Sequence, residues 1–253
     1  NNTVRRQLLS LKPDLTDHCS TDLSFNFLIA LDYLDRMQKG IKVEYLEKQG
    51  WKIGSLVLPQ LSDRSSGYQG VDSQGSQVML NYRSYSSPNK IARQISLREV
   101  LQGGISAALV NQLQQPIVLI GVTARGENYD DFFNTPYGEE IPGVFLQAQA
   151  ISQIISAVLD KRPLIWWWPW PVEAVWIGWW SVLGGMLAWS FQEPLKRRLS
   201  IGIALTGLGG ICLVIFTQAG WVPLVPPALA LVATAVGVRW WSTSHSTANS
   251  KQQ

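Results

Sequence analysis

Charged residues are scarce in this 253-residue chain, at 15% against the ~25% typical of soluble domains. The shortage is uneven, because residues 199–238 contain no Asp, Glu, Lys or Arg. Residues 1–162 hold sixteen basic and sixteen acidic residues, so the net charge of +3 comes from the remainder. This distribution excludes a single soluble globule, a disordered chain and a general nucleic-acid binder. It predicts a polar, water-facing domain followed by a membrane segment.

Cysteine and histidine are also rare, with two of each. Cys19 and Cys212 fall in different halves of the chain, so we draw no disulfide or metal framework. His18 is isolated, and no Ser, His and Asp follow the order typical of nucleophilic hydrolases. We therefore expect no catalytic residue, no metal, no cofactor and no enzymatic activity. A hydrolase that uses paired aspartates is the competing enzymatic hypothesis, although such pairs are common on surfaces.

The uncharged stretch is long enough for two membrane helices of ~20 residues each. We predict these spans at residues 199–216 and 221–238, separated by the polar break 217–220. A third span is expected at residues 172–189, with Glu173 at its end, where the charge can reach the lipid headgroups. The alternative is a set of buried helices in a large soluble core.

Tryptophan is concentrated beside these spans, since eleven of the twelve lie between residues 166 and 241. Indole favours the membrane interface because its ring is apolar and its N–H needs a partner. Trp176, Trp179 and Trp180 are spaced to line one helix face. We expect them to contact lipid or to pack against helices, and a ligand cage is the alternative.

The loop charges predict an orientation. The loop 192–198 carries Lys196, Arg197 and Arg198 against Glu193, whereas 217–220 carries no charge. By the positive-inside rule the first loop is cytoplasmic. Three spans then place residues 1–165 outside the plasma membrane and the polar tail 242–253 inside, where we expect it to be disordered. The chain is thus predicted to be a multi-pass protein of the inner (plasma) membrane, with the lipid bilayer as a partner and no nucleic acid bound.

The fold class expected for residues 1–165 is α/β. The apolar run 117–122 is typical of a strand buried on both faces of a parallel sheet, so Ile120 is expected to lie in the core. Ser96 is expected to cap a short helix. The chain starts at Asn1 in a strand-like segment without an initiator Met, so we expect a fragment that begins inside a domain. The remaining predicted elements are strands at 3–11, 53–58 and 77–82 and helices at about 21–39, 96–102, 106–114 and 143–159.

The polar loop 123–142 follows the expected strand, and loops at the carboxyl ends of parallel strands often bind ligands. Arg125, Asp130, Asp131 and Thr135 are the candidate ligand-binding residues, for a polar small molecule or a cation. In the structural alternative, an Asp caps a turn and the Thr135-Pro136 pair fixes an extended corner. Both interpretations remain open at the level of the sequence.

The ordered combination of several motifs resembles a known family. The run 117–124 (IVLIGVTA), Asp130-Asp131, Thr135-Pro136 and Pro142-Gly143-Val144 resemble the signature of the CHASE type 2 domain. That name denotes a cyclase- and histidine-kinase-associated sensory extracellular domain. Asn81-Tyr82-Arg83 is similar to the family's strand that leads into the second half, and three membrane helices after the domain are part of the family pattern.

The resemblance covers about residues 3–238 and is closest to cyanobacterial members, in which a caspase-like CHAT domain can precede the sensor. The chain departs from the family in lacking its first membrane helix and its Asp-rich first half. It also has Gln147 where many members have His.

The resemblance implies a partial extracytoplasmic sensor domain followed by an all-α transmembrane segment of three helices. It would perceive an unknown small molecule or envelope condition and relay it through those helices. Its effector, of CHAT or kinase/cyclase type, would lie in a missing N-terminal part or in a partner protein. The alternative functions are a non-sensing membrane-anchored scaffold, a truncated receptor fragment and a transporter.

Overall fold

The computed structural model describes residues 3–12, 21–47, 49–83, 88–103, 117–126 and 130–249. They form two compact units. The mixed unit comprises Asn1–Leu61 and Ser73–Leu164, and the helical unit comprises Ser62–Asp72 and Ile165–Gln253. In chain order, the elements are β1 (Arg6–Ser10), α1 (Phe25–Met37), β2 (Val43–Leu46), β3 (Gly50–Ile53), β4 (Leu56–Val57), β5 (Arg64–Ser65), β6 (Tyr68–Gln69), β7 (Ser76–Met79), a 3-10 turn (Pro88–Ile91), α2 (Leu97–Leu101), β8 (Phe132–Asn134), β9 (Glu140–Pro142), α3 (Gly143–Leu159), β10 (Trp166–Trp167), α4 (Trp170–Ser190), α5 (Pro194–Thr217), β11 (Gly220–Trp221) and α6 (Val225–Asn249).

Small antiparallel sheets build the mixed unit. β1 pairs with β7, β2–β3–β4 form a meander, and β8 pairs with β9. The single strand expected at residues 53–58 is wrong, because Gly54 adopts φ +58° and turns the chain between β3 and β4. Glycine tolerates this left-handed conformation at no steric cost, so a short hairpin replaces one continuous strand.

The core of the mixed unit lies between the strands and the helices α1 and α3. Each large apolar side chain buried there contributes about 1.5–3 kcal/mol relative to its exposed state. Trp51 packs edge-to-face on Phe27 with ring centroids 5.3 Å apart, and its Nε1 donates to Ser10 Oγ at 2.9 Å. The fully buried members are Leu9, Phe27, Ala30, Leu34, Ile53, Leu58, Val78, Ile151 and Ile154.

Local capping fixes the start of α2. The predicted cap at Ser96 is confirmed, since its side chain accepts from Glu99 N while Glu99 accepts from Ser96 N. These hydrogen bonds, led by the Ser96 backbone N–H, lower the pKa of Glu99. α1 begins later than expected, after Ser24, because Ser24 Oγ donates to Leu8 O and ties the helix start to β1. The helix expected at 106–114 lies outside the described residues.

The apolar run 117–122 does not form the expected buried strand. Within the described residues it pairs with no strand, and Ile120 is 96% exposed, so its assignment to the core is wrong. Ile117 and Leu119 do pack against the core, and their neighbours point the other way, as the period of an extended chain requires. The apolar run therefore predicted burial correctly for one face of this segment, that of Ile117 and Leu119, and wrongly for the other.

In the helical unit, α4 and α6 pack closely against each other. A Cβ on Gly184 of α4 would collide with Leu231 O and lie 2.8 Å from Thr234 Oγ1. Thr234 Oγ1 also donates to Ser181 O at 2.7 Å, which joins the two helices by a hydrogen bond. The absence of a side chain at Gly184 is therefore what allows the close approach.

Tryptophans also fill the interior of the helical unit. Trp176 packs edge-to-face on Trp168 and Trp180, with centroids 5.5 and 5.4 Å apart, and its Nε1 donates to Pro223 O. Trp179 instead faces outward, so the three indoles do not share one face. The Glu173 side chain is only 8% exposed, contrary to the expectation that its charge reaches outward.

Among the described residues, α5 is the one helix that is long and apolar enough to cross a membrane by length and composition. Its mean hydropathy is 2.3 over a window of which 11% is buried. All three helices are longer than the predicted spans. α6 starts at Val225, which puts Pro226 and Pro227 in its first turn, where their missing N–H groups cost nothing. It continues to Asn249, so part of the tail expected to be disordered is helical.

Candidate functional site

Two glutamines lie buried on α3, a helix whose sequence is otherwise largely apolar. Gln149 is 0% and Gln153 is 1% exposed. Gln153 Oε1 accepts from Asn81 N at 2.8 Å, and its Nε2 donates to Met79 O at 2.9 Å. Buried backbone groups need such partners, so these amides take the place of a neighbouring strand for the chain that leaves β7.

The same segment is held from its other side. Arg162 Nη2 donates to the carbonyl oxygens of Asn81 and Tyr82, at 2.8 and 3.0 Å. The Tyr82 hydroxyl donates to Val4 O at 2.9 Å. Burial, with a smaller contribution from Tyr137, raises the pKa of Tyr82 to about 12, so the hydroxyl stays a donor at neutral pH. Residues 80–83 are thereby fixed although they belong to no sheet.

Arg83 is the residue that this scaffold positions. Its N–H donates to Gln149 Oε1 at 2.9 Å, and its Nε donates to Ser152 Oγ at 2.7 Å. Within the described part of the chain, its terminal nitrogens make no hydrogen bond and no ion pair. The side chain is half-buried. A guanidinium held at Nε, with its outer edge unoccupied, is suited to bind an anion.

Arg83 lines a cavity of about 340 Å³ in the mixed unit. One wall is the α3 stripe Val144, Ala148, Ile151 and Ile155, which is apolar. Ile117 and Leu119 line it as well, and Tyr33, Ser152, Ser156 and Asp160 supply polar groups. This volume lies at the lower end of the range found for small-molecule sites. Apolar walls with a few polar groups are also typical of such sites.

The sequence-predicted residues lie in a separate cluster, and the structure brings two of them together. Arg125 forms an ion pair with Glu140, approaches Asp130 at 3.7 Å, and lies over the Phe132 ring at 4.4 Å from its centroid. All of these charged side chains are about half exposed or more. The charge of Arg125 therefore already has partners inside the loop.

Asp131 and Thr135 have other surroundings. The Asp131 carboxylate lies against Gly143 at the first residue of α3, where any Cβ would collide with it, and Asp131 O accepts from Gly143 N at 2.9 Å. Thr135 is buried, and both its N and Oγ1 donate to Glu139 O, at 2.9 and 2.8 Å. Asp131 thus adjoins a helix start, and Thr135 closes a turn. Ligand binding by these residues remains a prediction.

Among the described residues, no three His, Cys, Asp or Glu side chains are grouped so that they could hold a metal ion.

Comparison with known proteins gives one match. The model of the CHASE2 domain family matches residues 1–186, about three quarters of the chain. The chain belongs to the CHASE2 domain family. The family membership expected from the sequence is therefore confirmed. CHASE2 is a family of sensory extracellular domains, and a sensor role is consistent with this membership. No curated protein and no solved structure matches.

The cavity of this CHASE2 chain was missed by sequence reasoning. The available signal was the pair Gln149 and Gln153, two amides four residues apart on a helix with few other polar side chains. Side chains at this spacing lie on one face of a helix, so both amides face the same neighbour. Arg83 itself was noted only as part of a family-like strand, because nothing in its local sequence distinguishes a cavity residue from a surface one.

Proposed function

We propose that the chain is a non-enzymatic, membrane-bound sensory module. Its mixed unit would lie outside the plasma membrane and perceive a small molecule or an envelope condition, and three transmembrane helices would relay the change. The observation that carries this proposal is membership of a sensory extracellular family in a chain whose described helical unit is apolar on its outer surface.

The dimensions and surfaces of α4 and α6 support two further spans beside α5. The 21 residues of α4 correspond to about 32 Å, enough for a hydrocarbon core of ~30 Å. The part of α6 before Ser242 has 17 residues, about 26 Å, which is at the lower end of the lengths that span a membrane. Tryptophan and proline reduce their mean hydropathy without making their surfaces polar. Exposed large apolar residues on them include Val175, Trp179, Val182, Met186, Trp189, Leu229, Val232, Val236, Trp240 and Trp241.

The packing between α4 and α6 is also of a kind common in membranes. Small residues let membrane helices approach closely, and a hydroxyl can bond across them. Gly184 and Ala188 lie one turn apart on α4, and Ala188 and Ala235 are both buried. The Thr234–Ser181 hydrogen bond lies at the same interface.

The orientation follows from the charges at the start of α5. Lys196, Arg197 and Arg198 lie there, and Lys196 pairs with Glu193 at 3.1 Å. Three basic residues against one acidic residue favour the cytoplasm for this end. The opposite end of α5, at residues 217–220, has no charge.

A relay element is available in the β5–β6 hairpin. Ser62–Asp72 belongs to the helical unit, whereas the residues on either side of it in the sequence belong to the mixed unit. Tyr68 packs edge-to-face on Trp221 at 5.2 Å, and a Cβ on Gly67 would lie 2.8 Å from that indole. The hairpin therefore packs on Trp221 of the helical unit and is continuous in the chain with the mixed unit at both of its ends. A ligand would drive such a relay only if it bound two conformations with different affinities.

The output would be received by a CHAT or kinase/cyclase type effector, in a preceding segment or in a partner protein. A scaffold that senses nothing is the alternative, and it would share the same topology.

Cysteine labelling tests the topology. Ser55 is exposed in the mixed unit and serves as the outer position, and exposed Gln192 is the inner one. With Cys19 and Cys212 replaced, a membrane-impermeant maleimide should label Ser55→Cys in intact cells. It should label Gln192→Cys only after permeabilisation. Equal labelling of both before permeabilisation would contradict the proposed orientation.

A further inference from the structure

We infer that the cavity beside α3 binds a medium-chain carboxylate, with the carboxylate on Arg83. This inference rests on the sensory role proposed above and names the ligand class of the mixed unit. Arg83 offers two terminal nitrogens that no described residue engages, and the Tyr33 hydroxyl has no described hydrogen-bond partner either. Both line the same cavity, so each presents a donor to it.

Along the α3 wall of the cavity, the polar lining residues all lie in the C-terminal half of the helix, whereas the lining residues of the N-terminal half are apolar. Along α3, Ser152, Ser156 and Asp160 follow one another towards the C-terminus, and Ser152 holds Arg83. Val144 and Ala148 lie towards the N-terminus, about 12 Å from Ser152 at the far residue, given 1.5 Å per residue. An elongated ligand would therefore place its charged group near Arg83 and its apolar chain towards Val144.

The size of the cavity limits the ligand. About 340 Å³ accommodates roughly eleven groups of water size, at about 30 Å³ each. A straight-chain carboxylate of eight carbons has a similar number of non-hydrogen atoms. Walls that are mainly aliphatic, with the buried Ser156 hydroxyl as one of few acceptors, favour a saturated chain over a sugar or a nucleotide, most of whose hydroxyls would stay unpaired.

Charge favours an anion over a cation. Asp160 also lines the cavity, but it is exposed at the end of α3, where water solvates its carboxylate. Arg83 is half-buried and fixed by Gln149 and Ser152. A half-buried cation gains more from a charged partner than an exposed anion does, because solvent screens the exposed group.

The test compares octanoate with octanamide, its neutral counterpart of equal size. Binding is measured by calorimetry on the full chain in nanodiscs, with empty nanodiscs as the reference for partition into lipid. We expect octanoate to bind the native chain at least tenfold more tightly than octanamide. In Arg83→Gln this preference should fall to about one, whereas Arg93→Gln, an exposed arginine outside the cavity, should keep it. Equal affinity of the native chain for both compounds overturns the inference.

A second variant keeps the test valid if Arg83→Gln folds poorly. Ala148→Leu fills the apolar part of the cavity and leaves Arg83 in place, so both compounds should lose binding at least tenfold. Unchanged octanoate affinity in Ala148→Leu also overturns the inference.

Hydrogen exchange on the same samples distinguishes failure of the ligand assignment from failure of the proposed sensory role. Octanoate should protect residues 143–159 if it binds in the cavity, and change exchange in residues 170–242 only if the signal is relayed. Protection of the first region alone supports the ligand assignment and contradicts the relay.

Discussion

Gln153→Met tests whether a buried glutamine takes the place of a neighbouring strand. Methionine conserves the unbranched shape and the volume, so packing should change little. The substitution removes the acceptor for Asn81 N and the donor to Met79 O. Both backbone groups then lose their partner while the surrounding structure stays in place.

The magnitude follows from where these groups lie. A buried polar group left without a partner costs about 1–3 kcal/mol. Met79 is buried and Asn81 is half-buried, so the carbonyl should cost about 2 kcal/mol and the N–H about 1 kcal/mol. We therefore expect the mixed unit to lose about 3 kcal/mol of its free energy of unfolding. That is a large share of the ~5–15 kcal/mol typical of a domain.

The assay is hydrogen exchange against urea, read on peptides covering β7 and α3 in the full chain. Gln147→Met is the matched control, because Gln147 lies on the same helix, is half-buried and makes no hydrogen bond within the described residues. It should stay within about 0.5 kcal/mol of the native chain. If Gln153→Met behaves like this control, the glutamine does not hold the chain after β7, and the account of how Arg83 is positioned fails with it.

Three further outcomes follow from burial and charge. Ile120→Asp should change the free energy of unfolding by no more than about 0.5 kcal/mol, whereas Ile141→Asp, at a fully buried residue, should prevent folding. Proteolysis of both variants checks this. A protease-sensitive Ile120→Asp would contradict the exposed position of Ile120. Gly184→Val should separate α4 from α6 and lower the melting temperature of the helical unit, whereas Gly178→Val, with open space around it, should not. Equal melting temperatures of the two variants would exclude the close contact at Gly184. Burial raises the pKa of Tyr82 from 10.0 to about 12, so its contribution to stability is present below pH 10 and is lost as the pH rises towards 12. Between pH 10 and pH 12 the native chain should lose free energy of unfolding relative to Tyr82→Phe, as measured by urea titrations at both pH values. The same change in free energy of unfolding for both proteins would refute the raised pKa.

Patterns that depend only on neighbouring residues were enough to predict several helices, the apolar segments and the family of this protein. Ser96 predicted a helix cap, and the apolar period predicted α3 at its observed bounds. The forty uncharged residues 199–238 predicted the apolar character of α5 and most of α6. The ordered loop motifs were sufficient to place the chain in its family. Capping, periodicity and motif order are written along the chain, so they can be read without knowing what lies opposite.

Which side of an element is covered was decided only by the fold. Ile120 was predicted to be a core residue. Burying both faces of residues 117–122 needs partners from elsewhere in the chain, and only the face of Ile117 and Leu119 has them. The cavity depends on the same kind of long-range placement. Arg83 meets Ser152 across 69 positions of sequence, and Asn81 meets Gln153 across 72. No local propensity encodes such contacts, because they arise from packing that minimises unpaired buried groups over the whole unit.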